Sequence, residues 1–221
     1  MGMWVLAIGG SGGDLAERAA ALAAATGTSV YEAQRQLISR GPRVLATHGD
    51  RGAAERAAEA IAAAGFTPIV LDDTACRLAR FEVRAFALEG RTFKVTDRRG
   101  ASVQLPFAEI AVLVRGVRTI GPDDREPFLE VHGAATPVLT LCERHLQYDG
   151  LHLERQPTAA ANFARLVARL RGQAPQASYD ERLNTRAGQL QVLGERLTPE
   201  ADLEIATLLL ARTLQRMRPA A

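Results

Sequence analysis

The chain has 221 residues, 47% of them apolar, enough to bury a sizeable core in one large or two small domains. Its formal charge is +2, Lys94 is its single lysine, and acids alternate with arginines, so no basic stripe for nucleic acid is expected. Two cysteines, Cys76 and Cys142, are too few for a disulfide framework and suit a reducing cytoplasm.

No secretory leader is read at Met1–Trp4. Residues 4–8, WVLAI, predict a short buried strand, and the glycine cluster after it opens onto an alanine-rich helix with Asp14 as N-cap. Gly27 ends that helix. A second one over 28–39 is capped by Thr28 or Ser29 and offers Val30, Ala33 and Leu37 as its apolar face, until Gly41-Pro42 stops it. A strand at 43–48, a helix at 50–65 and a strand at 67–73 complete a β-α-α-β-α-β order.

Past residue 80 the pattern changes to short alternating segments joined at Glu89-Gly90, Arg99-Gly100 and residues 121–124. These predict a small antiparallel sandwich or barrel. A helix closes it, with Thr158 as cap and Phe163, Leu166, Val167 and Leu170 as its stripe. Residues 173–179 read as a linker. Two helices follow, one over 180–194 with Asp180 as N-cap and one over 199–217 opened by Thr198-Pro199. The last is apolar on more than half its girth, through Leu203, Ile205, Ala206, Leu208, Leu209, Ala211 and Leu214. It must dock on the body or on a second copy, which would make a homodimer. The longest apolar run, 205–211, is far below the roughly 20 residues of a membrane span. The division expected is an α/β domain at 1–75, a β domain with its closing helix at 77–172, and a helical extension at 176–221, an α+β protein as a whole.

Residues 25–71 carry a family resemblance. Thr26-Gly27, Glu32-Ala33, Pro42, the strand near Val44, the alanine-rich helix Ala54–Ala64 and Gly65 resemble the C-terminal domain of the bacterial ribosomal stalk protein. The protease adaptor ClpS shares that β-α-α-β-α-β fold. The resemblance implies a module that binds a protein partner through its first two helices. Where the stalk domain places charged factor-contacting residues, this chain holds Ala23, Tyr31 and Gln34. Element order from 77 to 172 resembles a pleckstrin-homology barrel, which implies a lipid-headgroup site near its first turns, here Arg91, Lys94 and Arg98.

The main functional expectation is therefore a non-enzymatic bacterial adaptor, cytoplasmic and without cofactor, whose partner-binding residues are Val30, Tyr31, Gln34 and Arg35. An aromatic at position 31 suits a protein contact. A second reading is a nucleotide- or phosphate-binding enzyme using Gly10, Ser11, Gly12 and Gly13, because backbone N–H groups at a helix N-terminus hold anions. The dinucleotide spacing fails, since the sixth position from Gly10 is Leu15, and no P-loop lysine follows. The third reading is membrane-surface binding by the barrel. Cys142 and His145 invite a nucleophile-and-base reading, but residues three apart on a strand point to opposite faces, so the pair meets only if the chain bends. Cys142 is read as a small core residue. His48, Asp50, His132 and His152 are scattered, and neither a metal site nor catalytic residues are expected.

Overall fold

The computed structural model describes residues 2–9, 14–38, 41–78, 80–133 and 137–217. It is mixed α+β, with several sheets and a C-terminal helix. The chain divides into two compact units, one built from residues up to 78 and from 186 to 217, the other from 79 to 185.

The first unit opens with β1 (Trp4–Ile8), α1 (Leu15–Thr26), α2 (Val30–Leu37), β2 (Arg43–His48), α3 (Arg51–Ala63), β3 (Pro68–Asp72) and a short α4 (Asp73–Leu78). Its sheet has the order β2-β1-β3, and β1 runs antiparallel to both neighbours. Successive side chains of β1 serve two faces. Leu6 and Ile8 join Leu22, Ala33, Leu37 and Ile61 of the three helices in one apolar cluster, while Val5 and Ala7 are fully buried on the other side. Both faces being covered explains why WVLAI is continuously apolar rather than alternating. Asp14 caps α1 by accepting from the Ala16 and Glu17 amides at 2.9 and 3.0 Å, and Asp50 caps α3 through the Ala53 amide at 2.8 Å. Helix α4 has no counterpart in the sequence reading; Asp72 starts it by accepting from the Thr74 amide at 3.0 Å, and the border expected between 75 and 77 falls inside it.

The second unit comprises β4 (Arg80–Val83), β5 (Ala85–Glu89), β6 (Thr92–Thr96), β7 (Ser102–Pro106), β8 (Ile110–Thr119), β9 (Arg125–Gly133), β10 (Val138–Cys142), α5 (Ala159–Gln173) and β11 (Ser178–Leu183). Strands β5, β6 and β7 make an antiparallel sheet; a larger one runs β11-β8-β9-β10-β4. The expected all-antiparallel arrangement is corrected at both edges of this larger sheet, where β4 is parallel to β10 and β11 parallel to β8. A parallel pair needs a crossover. Helix α5 supplies one, returning the chain in the direction of β10, which is also the direction of β8. Phe163, Leu166, Val167 and Leu170 of α5 pack as the expected stripe against Phe93, Leu105, Leu113, Leu129, Val131, Leu139 and Leu141 of the two sheets.

Residues 178–183 also correct the expected helix over 180–194. They form β11, followed by α6 (Arg186–Leu193) and α7 (Pro199–Met217). Asp180 is no helix cap; its carboxylate receives the Arg182 amide and Nε, both at 3.0 Å. Pairing with the open edge of β8 outweighs the local polar helix-start signal, as strand context commonly does. Helices α6 and α7 pack on each other, on β2 and on α4 within the first unit. Ile205, Ala206, Leu209, Leu210 and Ala211 are buried in the chain itself, so α7 docks on its own body and needs no second copy to cover them. Arg212 and Arg216 of α7 donate to the Val70 and Pro68 carbonyls of β3 at 3.3 and 3.1 Å. No described helix is long and apolar enough to cross a membrane.

Candidate functional site

Helix α2 is set by a reciprocal cap. Ser29 Oγ accepts from the Glu32 amide at 3.2 Å, and Glu32 Oε2 accepts from the Ser29 amide at 2.9 Å. These bonds to Ser29 hold the Glu32 carboxyl below the usual carboxylate range. With the helix start fixed, Ala33 and Leu37 point into the core. Val30, expected on that apolar face, points outward instead and is 52% exposed, beside Tyr31 at 69% and Ile38 at 64%. Gln34 and Arg35 are exposed on the same outward side. Positions 30, 34 and 38 stand one helical turn apart, so Val30, Gln34 and Ile38 form a row flanked by Tyr31 and Arg35. Ile38 was missed by sequence reasoning, although its spacing of four from Gln34 is the signal that finds it. Arg35 pairs with Glu195 at 3.2 Å, but both side chains are more than half exposed, so the pair holds Arg35 only weakly.

Gly10, Ser11, Gly12 and Gly13 lie outside the described residues; Gly9, just before them, donates its amide to the Thr67 carbonyl at 3.0 Å. Arg91 and Arg98 stand beyond opposite ends of β6, with Lys94 between them on the strand. Asp50 is committed to capping α3.

A second constellation meets the condition set for Cys142 and His145, while Cys142 is buried as a core residue should be. The chain bends directly after β10 in a 3₁₀ turn, Glu143–His145, which carries His145 back toward the Cys142 thiol. Among the described residues one group of three potential metal ligands results: Glu126, Cys142 and His145, their ligand atoms all within 4.8 Å of one another. Glu126 comes from β9, where alternate positions Glu126, Phe128, Glu130 and His132 are all buried. No local motif announces it, since it lies 16 residues before Cys142 and meets it only through strand pairing, Cys142 standing opposite Phe128.

The corner is held by charge-assisted hydrogen bonds. Glu126 Oε2 accepts from Arg118 Nε at 2.9 Å and Nη2 at 2.6 Å, and Oε1 accepts from the Arg144 amide at 3.1 Å. Arg144 grips Asp124 through two nitrogens at 2.7 and 2.6 Å, while Arg84 donates to the His145 carbonyl. Farther along β9, Arg80 Nε reaches Glu130 Oε1 at 3.0 Å, and His132 Nε2 lies 3.3 Å from Glu130 Oε2. Burial pushes the Cys142 thiol up to about 12, with Arg118 opposing and Glu126, Glu82 and Glu130 reinforcing. At neutral pH the sulfur is therefore a thiol and no nucleophile.

Compared with protein-family models, with curated proteins and with solved structures, the chain gives no match in any of the three.

Proposed function

We propose that this chain is a cytoplasmic adaptor without enzymatic activity, which binds a protein partner through the outward face of α2. The observation that carries the reading is the clustering of apolar exposure. Of the eight large apolar side chains exposed among the described residues, Val30, Tyr31 and Ile38 belong to this one short helix and its last turn. The other five, Leu15, Ile120, Leu153, Leu190 and Met217, are spread over separate elements. A gathered apolar patch with a polar rim marks an interaction surface, whereas singly scattered residues do not. Tyrosine and arginine are the side chains that most often carry binding energy, and Tyr31 and Arg35 flank the row. The resemblance of residues 25–71 to the stalk domain supports the same face, because that domain meets its protein partners through its first two helices. The partner that fits is an apolar segment bearing an acidic group, which would take Arg35 from its weak pairing with Glu195.

A pull-down with the full chain, repeated with Tyr31→Ala and Gln34→Ala, tests this. Both side chains are exposed, so circular dichroism should be unchanged, and Tyr31→Ala should weaken partner binding about 30-fold, as expected of a residue worth ~2 kcal/mol. Undiminished binding in both variants would move the interface elsewhere.

A further inference from the structure

We propose that Glu126, Cys142 and His145 form a binding site for a divalent cation of the zinc class, with three protein ligands and a fourth position left to solvent or a small ligand. The donor set is a sulfur, an imidazole nitrogen and a carboxylate oxygen. This mixture selects zinc or its neighbours over magnesium and calcium, which call for oxygen alone. Zinc bonds of about 2.0–2.3 Å in tetrahedral geometry place donors about 3.5 Å apart. The three ligand atoms already lie within 4.8 Å of one another, so closing on an ion takes a contraction of no more than about 1.5 Å.

The surroundings orient the ligands as outer partners do in metal centres. An ionised carboxylate offers about four acceptor positions. Arg118 takes two on Oε2 of Glu126 and the Arg144 amide takes one on Oε1, which leaves Oε1 able to meet a cation. The turn bearing His145 is pinned on both sides, by Arg84 at its carbonyl and by the Arg144–Asp124 fork. Glu126 and Cys142 are buried, whereas His145 is partly exposed and stands at the entry side. As the metal–sulfur bond forms, the thiol proton passes to the solvent; thiolate and carboxylate then face both the dication and the Arg118 guanidinium, which leaves the loaded site with one net positive charge. The site belongs to the second unit and does not depend on the reading of α2.

Cobalt(II), a spectroscopic stand-in for zinc, supplies the test. Titrated into the full chain, it should bind one equivalent and develop a thiolate-to-cobalt charge-transfer band together with tetrahedral ligand-field absorption, both abolished by added zinc. Cys142→Ser should lose the charge-transfer band, His145→Gln should weaken binding tenfold or more, and Cys76→Ser should change neither. Because Cys142 is buried and its replacement can disturb packing, His145→Gln, at a partly exposed position, decides the matter should Cys142→Ser fail to fold. Absence of the band with excess cobalt, its survival in Cys142→Ser, or undiminished affinity in His145→Gln overturns the proposal.

Discussion

Adding one methyl group at two glycines of the second unit should change stability in opposite directions. Gly116 of β8 stands opposite Phe128, whose ring leans across it. A Cβ at Gly116 would lie 2.5 Å from Phe128 Cζ, 2.6 Å from Cε1 and 2.9 Å from Leu183 Cβ. Non-bonded carbons settle at about 3.5–4.0 Å, so Gly116→Ala forces roughly 1 Å of overlap with two ring atoms and about 0.6 Å with the Leu183 carbon. Overpacking of this kind costs about 1–3 kcal/mol. For a chain of this size that lowers Tm by about 2–12 °C, at about 2–4 °C per kcal/mol. Gly172, near the end of α5, meets nothing within 4 Å. Gly172→Ala should therefore gain up to about 0.5–1 kcal/mol, because alanine holds a helix better than glycine. Thermal and urea denaturation of both variants measure the difference. A Gly116→Ala protein as stable as the parent, or a Gly172→Ala protein less stable than Gly116→Ala, would refute the packing argument. Combining Gly116→Ala with Phe128→Leu should recover part of the loss, since the ring supplies two of the three clashes; a strictly additive double variant would point to backbone strain instead.

Three further outcomes follow from individual residues. Removing the cap with Ser29→Ala should destabilise the first unit by about 1 kcal/mol, read as a shift in urea midpoint, and Ser29→Thr, which keeps the hydroxyl, should lose much less; equal losses would mean that the cap bond is not the cause. His152 holds φ 48° and ψ −121°, a left-handed backbone that L residues resist. His152→Gly should thus be neutral or stabilise by up to ~1 kcal/mol in the same assay, and a clear loss would mean that the imidazole makes a needed contact. The Cys142 thiol, raised from its ordinary 9.0 to about 12, favours the folded state fully below pH 9 and less as pH climbs toward 12, because the unfolded chain ionises first. Metal-free protein should accordingly lose stability across that window, and Cys142→Ala should lose less of it; parallel pH curves for the two proteins would contradict the burial argument.

The β-α-α-β-α-β order was legible because α1, α2 and α3 carry their own punctuation: Asp14 and Asp50 as caps, Gly27 at a left-handed stop, and Gly41-Pro42 as a breaker. The α5 stripe was legible for the same reason, its period matching its buried face. What escaped was non-local. β11 is a strand because β8 has an edge to pair, a fact absent from the letters SYDERL. The Cys142 corner escaped on two counts: Glu-Arg-His gives no turn signal, and Glu126 arrives through the register of β9 against β10. Alternation assigned His145 to the wrong side only because the strand was assumed to continue through it. On α2 the period was right but the inward side was drawn one position too wide, taking in Val30 and leaving Ile38 unremarked.

The first unit is discontinuous in sequence, its opening 78 residues completed by α6 and α7 more than a hundred residues later. A nascent chain emerging from the ribosome therefore exposes the N-terminal sheet before the helices that join it exist, whereas residues 79–185 can fold as soon as they appear. Contacts closed over so long a loop form slowly, so the docking of α7 on β3 is expected late in folding. Deleting residues 186–217 should harm the beginning of the protein more than its middle.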